Sequence, residues 1–267
     1  MLTHKQWKTQ CLAERIQNLA TSIAAEASRR SVLYQPVAKD VAFIAEETRR
    51  MAEYIMKSLE RNIFNGFQNS DFDTHMLNAS RRASNLALNA GLLACKEKEH
   101  LPLAVFAEDL RNFAVQLGEV YGKELKYFDI PKISPKSAVI TDMVFLFNAT
   151  SGKYVWWENA FFVKEIMFYE PEYIQGNRLI IKNEWRNMDM PFIKLGDVPK
   201  DPSIVIISDA FDPKKYYAIL ADFDIHALVN AHAGVNKPCA SDIPVRECWS
   251  ASDGRDIMFL DWNKIAQ

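Results

Sequence analysis

Glycine is scarce in this chain, with nine in 267 residues, against a usual share of ~7%. None of them forms a phosphate cradle. There is no P-loop, no dinucleotide glycine fingerprint and no G-x-S-x-G nucleophile elbow. Proline is nearly missing from the first half. Only Pro36 and Pro102 precede residue 131, and the other nine run from Pro131 to Pro244. Tryptophan divides the same way, Trp7 against Trp156, Trp157, Trp185, Trp249 and Trp262. The four cysteines, Cys11, Cys95, Cys239 and Cys248, include no close pair, which points to free thiols in a reducing cytoplasm. No apolar run approaches the ~18 residues of a membrane span, and the opening MLTHKQWKTQ has no apolar signal-peptide core. A formal net charge of −2, with no basic excess in either half, argues against nucleic-acid binding. Composition is otherwise that of a folded protein, 49% hydrophobic and 25% charged, with a length that suits two domains. Asn148-Ala149-Thr150 and Asn78-Ala79-Ser80 match the glycosylation triplet by chance.

What is present up to residue 130 is helical periodicity. Val37, Val41, Ile44, Thr48, Met51 and Ile55 alternate spacings of four and three, as do Leu103, Phe106, Leu110, Phe113, Leu117 and Val120. Leu12, Ile16, Leu19 and Ile23 repeat the pattern, and so do Met76, Ala79, Ala83, Leu86, Ala90 and Leu93. Each run puts one apolar stripe on a helix. The spacing predicts helices at about 5–33, 37–65, 72–98 and 102–127. Short connections then give an antiparallel four-helix bundle over residues 1–130.

The helices are pairwise alike. Ile44-Ala45-Glu46-Glu47-Thr48-Arg49-Arg50-Met51-Ala52 matches Phe106-Ala107-Glu108-Asp109-Leu110-Arg111-Asn112-Phe113-Ala114 sixty-two positions later. Asn18-Leu19-Ala20 matches Asn85-Leu86-Ala87 sixty-seven positions later. An internal repeat of this kind predicts a pseudo-twofold relating two helical hairpins.

These residues also carry a resemblance. Leu86-Ala87-Leu88-Asn89-Ala90, Ala94-Cys95-Lys96 and Ala104-Val105-Phe106-Ala107-Glu108-Asp109-Leu110-Arg111 resemble the hairpin tip of bacterial methyl-accepting chemotaxis receptors. A weaker copy is Ala24-Ala25-Glu26-Ala27-Ser28-Arg29 with Val41-Ala42-Phe43-Ile44-Ala45-Glu46-Glu47-Thr48-Arg49. Both copies lack the turn glycines of the family, and the tip glutamate, kept as Glu26, is replaced by Leu93 in the second. The resemblance implies that Glu26, Asn89 and Leu93 touch a kinase, a coupling protein or another receptor-like tip.

From about residue 138 to the end the pattern changes to short β-type runs, at Ala138–Phe147, Tyr154–Trp157, Leu179–Lys182, Met190–Leu195, Ile204–Ser208, Tyr216–Asp222 and Asp256–Leu260. Strands at this spacing suggest small barrels or sandwiches. Four ordered landmarks resemble the chemotaxis coupling-protein (CheW-like) domain. They are Phe161 to Ile166, Trp185 to Leu195, Tyr217 to Asp222, and Val245 to Trp249 followed by Ile257 to Asp261. The resemblance implies a domain over 138–267 built of two SH3-like small barrels, with Glu165, Ile166 and Arg186 on its receptor-contact face. Glu165 and Arg186 equally suit a local ion pair. Asn187 and Lys194 stand where the family has glycine and aspartate.

Chemistry finds little support. His226-x5-His232-x6-Cys239-x8-Cys248 is too loose for a structural zinc site. Asp222, Asp224 and His226 alternate as on a solvated strand face. The expectation is an α+β, two-domain, non-catalytic cytoplasmic protein with no cofactor and no metal. It would act as a scaffold or adaptor in chemosensory signalling, with a histidine kinase, receptor tips, coupling proteins or a second copy of itself as partners. It would bind no nucleic acid and insert in no membrane. The competing expectation is a small-ligand sensor using the bundle or an interdomain cleft.

Overall fold

The structure, a computed structural model, describes residues 2–33, 37–64, 70–97, 101–122, 143–148, 155–159, 162–182, 187–209, 212, 214–230, 235–236, 244–250 and 256–265. The chain forms two compact units, one helical and one β-rich.

The helical unit contains α1 (His4–Val32), α2 (Ala38–Phe64), α3 (Ser70–Lys96) and α4 (Leu101–Val120). Thr3 and Gln6 start α1 with a capping box. The Thr3 hydroxyl accepts from the Gln6 amide at 3.2 Å, and the Gln6 side chain accepts from the Thr3 amide at 2.9 Å. Gln6 Nε2 then donates to Asn62 Oδ1 at 2.9 Å, joining the start of α1 to the end of α2. Thr9 meets Tyr121 and Ser80 donates to the Ala114 carbonyl, so α1 runs against α4 and α3 against α4. The directions are up, down, up and down, as short connections require. Asp71 and Asp73 fall in the first turn of α3, where carboxylates favour the helix dipole. The helix over 102–127 ends sooner than its periodicity suggests. A turn at Tyr121-Gly122, with Gly122 at φ 76°, follows Val120, and glycine adopts that conformation without strain. The residues beyond, 123–142 with Pro131 and Pro135, lie outside the described set.

The internal repeat is visible as burial. Leu12, Ile16, Ala20, Ile23 and Ala27 are buried, and so are the residues 67 positions on: Ala79, Ala83, Ala87, Ala90 and Ala94. Val41, Ala45, Thr48, Met51 and Ile55 are matched 62 positions on by Leu103, Ala107, Leu110, Phe113 and Leu117. The copies differ on one face. Thr21, Ser22, Ala25 and Ser28 of α1 are exposed, whereas Leu88, Asn89, Leu92 and Cys95 of α3 are buried. From Asn85 to Cys95 every residue of α3 is buried, in keeping with a stretch that carries no charge between Arg82 and Lys96.

The β-rich unit holds β1 (Met143–Asn148), β2 (Val155–Asn159), β3 (Val163–Phe168), β4 (Ile174–Gln175), β5 (Arg178–Lys182), β6 (Asn187–Ile193), β7 (Pro202–Ser208), β8 (Tyr216–Asn230), β9 (Val235–Asn236), β10 (Val245–Ser250) and β11 (Asp256–Leu260). A short helix, α5 (Trp262–Ile265), follows. β8 organises the unit because it runs eight residues past the expected Asp222. Its first half pairs with β7 and, in parallel, with β6; its second half pairs with β1. One group is therefore β3-β7-β8-β6-β5-β4, and the other continues from β8 through β1, β2, β11, β10 and β9. Among the described residues no ladder closes either group into a barrel. Met167, Leu179, Ile181, Met190, Ile204, Ile206 and Ala218 fill the core of the first group. Residues 171–182 contain a 3-10 turn and the β4–β5 hairpin, with Gly176 at φ 59° in its tight turn.

Candidate functional site

Glu26 lies in the penultimate turn of α1 and faces inward. Its Oε2 accepts from Arg29 Nε at 2.8 Å, and its Oε1 from Arg29 Nη2 at 2.8 Å and Arg30 Nε at 2.7 Å. Arg30 is fully buried, and its Nη1 lies 3.7 Å from Oε2 of Glu97, just past the end of α3. The hydrogen bonds from Arg29 hold the Glu26 carboxyl below its ordinary value, against the opposing effect of burial, and Arg30 adds to them. This arrangement ties α1 to the end of α3 at the hairpin tips.

A second cluster covers the outer face of α2. Glu46 accepts from Arg49 Nη2 at 2.7 Å and from Arg50 Nε at 2.9 Å, while Arg49 also pairs with Glu53. These bonds, Arg49 first, bring the Glu46 carboxyl down to about 2. The same pair recurs 62 positions later, where Arg111 Nη1 donates to Glu108 Oε2 at 3.3 Å. Beside Glu46 a groove of about 590 Å³ runs between α1 and α2. Ala20, Ala24 and Ala27 form its α1 wall and Ala38, Ala42 and Ala45 its α2 wall, with Lys39, Glu46 and Arg49 on the rim.

The tip residues expected at a contact surface are buried in the bundle. Glu26, Asn89 and Leu93 are 9%, 6% and 8% exposed. Glu26 is consumed by two guanidiniums, and Asn89 and Leu93 lie in the all-round buried stretch of α3. In the β-rich unit Ile166 is likewise buried. Its neighbour Glu165 is half-buried on β3, opposite Ile206 of β7 and next to a ladder irregularity after Val163. A bulge of this kind re-aims side chains. Arg186 lies outside the described residues. Of the six residues, those described are therefore four in cores and one, Glu165, reaching solvent.

Other polar groups escape sequence reading. Glu158 is 2% exposed because it shares a strand face with Trp156 at i, i+2, and Trp262 Nε1 donates to its Oε2 at 3.0 Å. Trp156 stands opposite Phe147 and Met258, all three buried; the Trp157 side chain lies outside the described set. Asn85 is buried with neither amide atom hydrogen-bonded. The signal for Glu158 was present in the strand alternation, while the signal for Arg30 and Glu97 lay in the repeat offset.

Among the described residues no three His, Cys, Asp or Glu side chains gather where a metal ion would bind. Cys248 is buried, and His232 and Cys239 lie outside the described set. Among those residues, too, no helix is long and apolar enough to cross a membrane. No protein-family model matches the chain, and no curated protein sequence is significantly similar to it.

Proposed function

We propose that this protein is a non-catalytic cytoplasmic adaptor of a chemosensory signalling system. It joins a single-chain bundle of two receptor-tip-like hairpins to a coupling-protein-like β domain, and it binds a histidine kinase regulatory domain or receptor tips through protein surfaces. The observation that carries the reading is the repeat. Two hairpins that share burial register and the Glu46–Arg49 and Glu108–Arg111 pairs make, within one chain, the object that receptor hairpins make from two. The β-rich unit supports it through β8, a strand shared by two groups as two SH3-like small barrels would share one. On this reading Glu165, the solvent-reaching member of its candidate set, contacts the partner, and the buried tip residues hold the bundle's shape. A pull-down with the kinase regulatory domain and with receptor tips tests it; folded protein that retains neither would end it.

A second reading, a small-ligand sensor, is favoured by the α1–α2 groove, whose volume lies within the ~300–1,000 Å³ of small-molecule sites. A ligand seated there raises the melting temperature of the helical unit in a thermal-shift screen.

A further inference from the structure

We propose that charge at the bundle tip makes the two hairpins specific for each other, so that the first hairpin takes the second and rejects a copy of itself. Arg30 and Glu97 stand at equivalent positions of the repeat, 67 residues apart. Around a twofold axis, equivalent positions near the axis face one another. These two do so, with Nη1 of Arg30 3.7 Å from Oε2 of Glu97. A pair built from two first hairpins puts Arg30 against Arg30 at a place where the side chain has no access to water. A pair built from two second hairpins puts Glu97 against Glu97. Like charges opposed in a poorly hydrated site repel strongly. The far end of the bundle has the same polarity, because Lys5 of α1 pairs with Asp73 of α3 at 2.8 Å. Basic residues of α1 thus meet acidic residues of α3 at both ends. Partner choice and register are attested uses of ion pairs between helices, and here Arg30 is fully buried while Glu97 is partly exposed. The consequence is that a chain whose own pair is spoiled exchanges hairpins with another chain that restores it, a domain swap.

The test uses full-length variants that all carry Glu26→Gln, which removes the other carboxylate on Arg30. In this background Arg30→Glu makes both positions acidic and Glu97→Arg makes both basic. Each lowers the melting temperature of the helical signal, and the combination of the two recovers most of the loss. After co-refolding, a tagged Arg30→Glu chain captures the untagged Glu97→Arg chain well above the level seen between two chains of the background. The proposal is overturned if the losses simply add and capture stays at that level. Should Arg30→Glu fail to fold, Glu97→Arg is compared with Glu97→Gln at the partly exposed site. A lower melting temperature for the arginine variant supports the proposal, and equal values overturn it.

Discussion

Arg30 donates from Nε to Oε1 of Glu26 at 2.7 Å, one helical turn apart on α1, and the guanidinium is fully buried while the carboxylate is 9% exposed. Breaking one side of a buried, hydrogen-bonded pair leaves the other charge without compensation, which costs about 3–5 kcal/mol. Arg30→Met is expected to lose about 3 kcal/mol, at the low end because Arg29 still binds Glu26. Urea unfolding followed by helical circular dichroism measures it.

Acid should weaken the helical unit through its carboxylates. Glu26 and Glu46 titrate lower in the folded chain than their ordinary 4.5, Glu46 at about 2. Their stabilisation is therefore complete above pH 4.5 and fades as pH falls through the folded values. The melting temperature is expected to decline between pH 4.5 and 2, and Glu46→Gln to flatten only part of that decline. Its share is small because Glu46 is 28% exposed and screened by solvent.

Tyr121 ties the end of α4 to α1. Thr9 donates its hydroxyl proton to the Lys5 carbonyl at 2.9 Å, so at the 2.6 Å contact between Thr9 and Tyr121 the phenol is the donor. Burial pushes that phenol up to about 12. Tyr121→Phe is expected to cost about 1 kcal/mol. In the native protein its ultraviolet titration should be delayed beyond the ordinary value of 10. Because the folded value is raised, the unit loses stability as pH rises above 10.

The thiols should separate by accessibility. Cys11 is exposed, while Cys95 and Cys248 are buried and burial pushes the Cys95 thiol up to about 11. Under native conditions a maleimide is expected to label Cys11 quickly and Cys95 and Cys248 only after denaturant is added, as peptide mapping by mass spectrometry would report.

Much of the helical unit is legible from local periodicity, because a four-three stripe dictates which side of each helix is buried. The repeat offsets even align Arg30 with Glu97. What they do not reveal is that the two residues face each other, since that depends on how the helices are rotated about their axes. The tip residues illustrate the same limit. A motif match places Asn89 and Leu93 at a tip without saying which face of α3 is covered, and the structure buries every face there. In the β-rich unit β2, β5, β7 and β11 were readable as branched and aromatic runs, whereas β3 was marked only by the resemblance at Phe161 to Ile166. The length of β8 was not, because Asp222 and Asp224 interrupt it with residues disfavoured in strands. Glu158 was hidden for a similar reason. Residue type argued for solvent, whereas its alternation with Trp156 put it inside.

The proposed adaptor function meets its most direct test in a calorimetric titration of the full-length protein against a chemosensory histidine kinase regulatory domain and, separately, against receptor hairpin tips. Saturable binding to at least one of them, weakened by Glu165→Arg in a variant that melts like the parent, is the predicted result. Folded protein that binds neither would contradict the account.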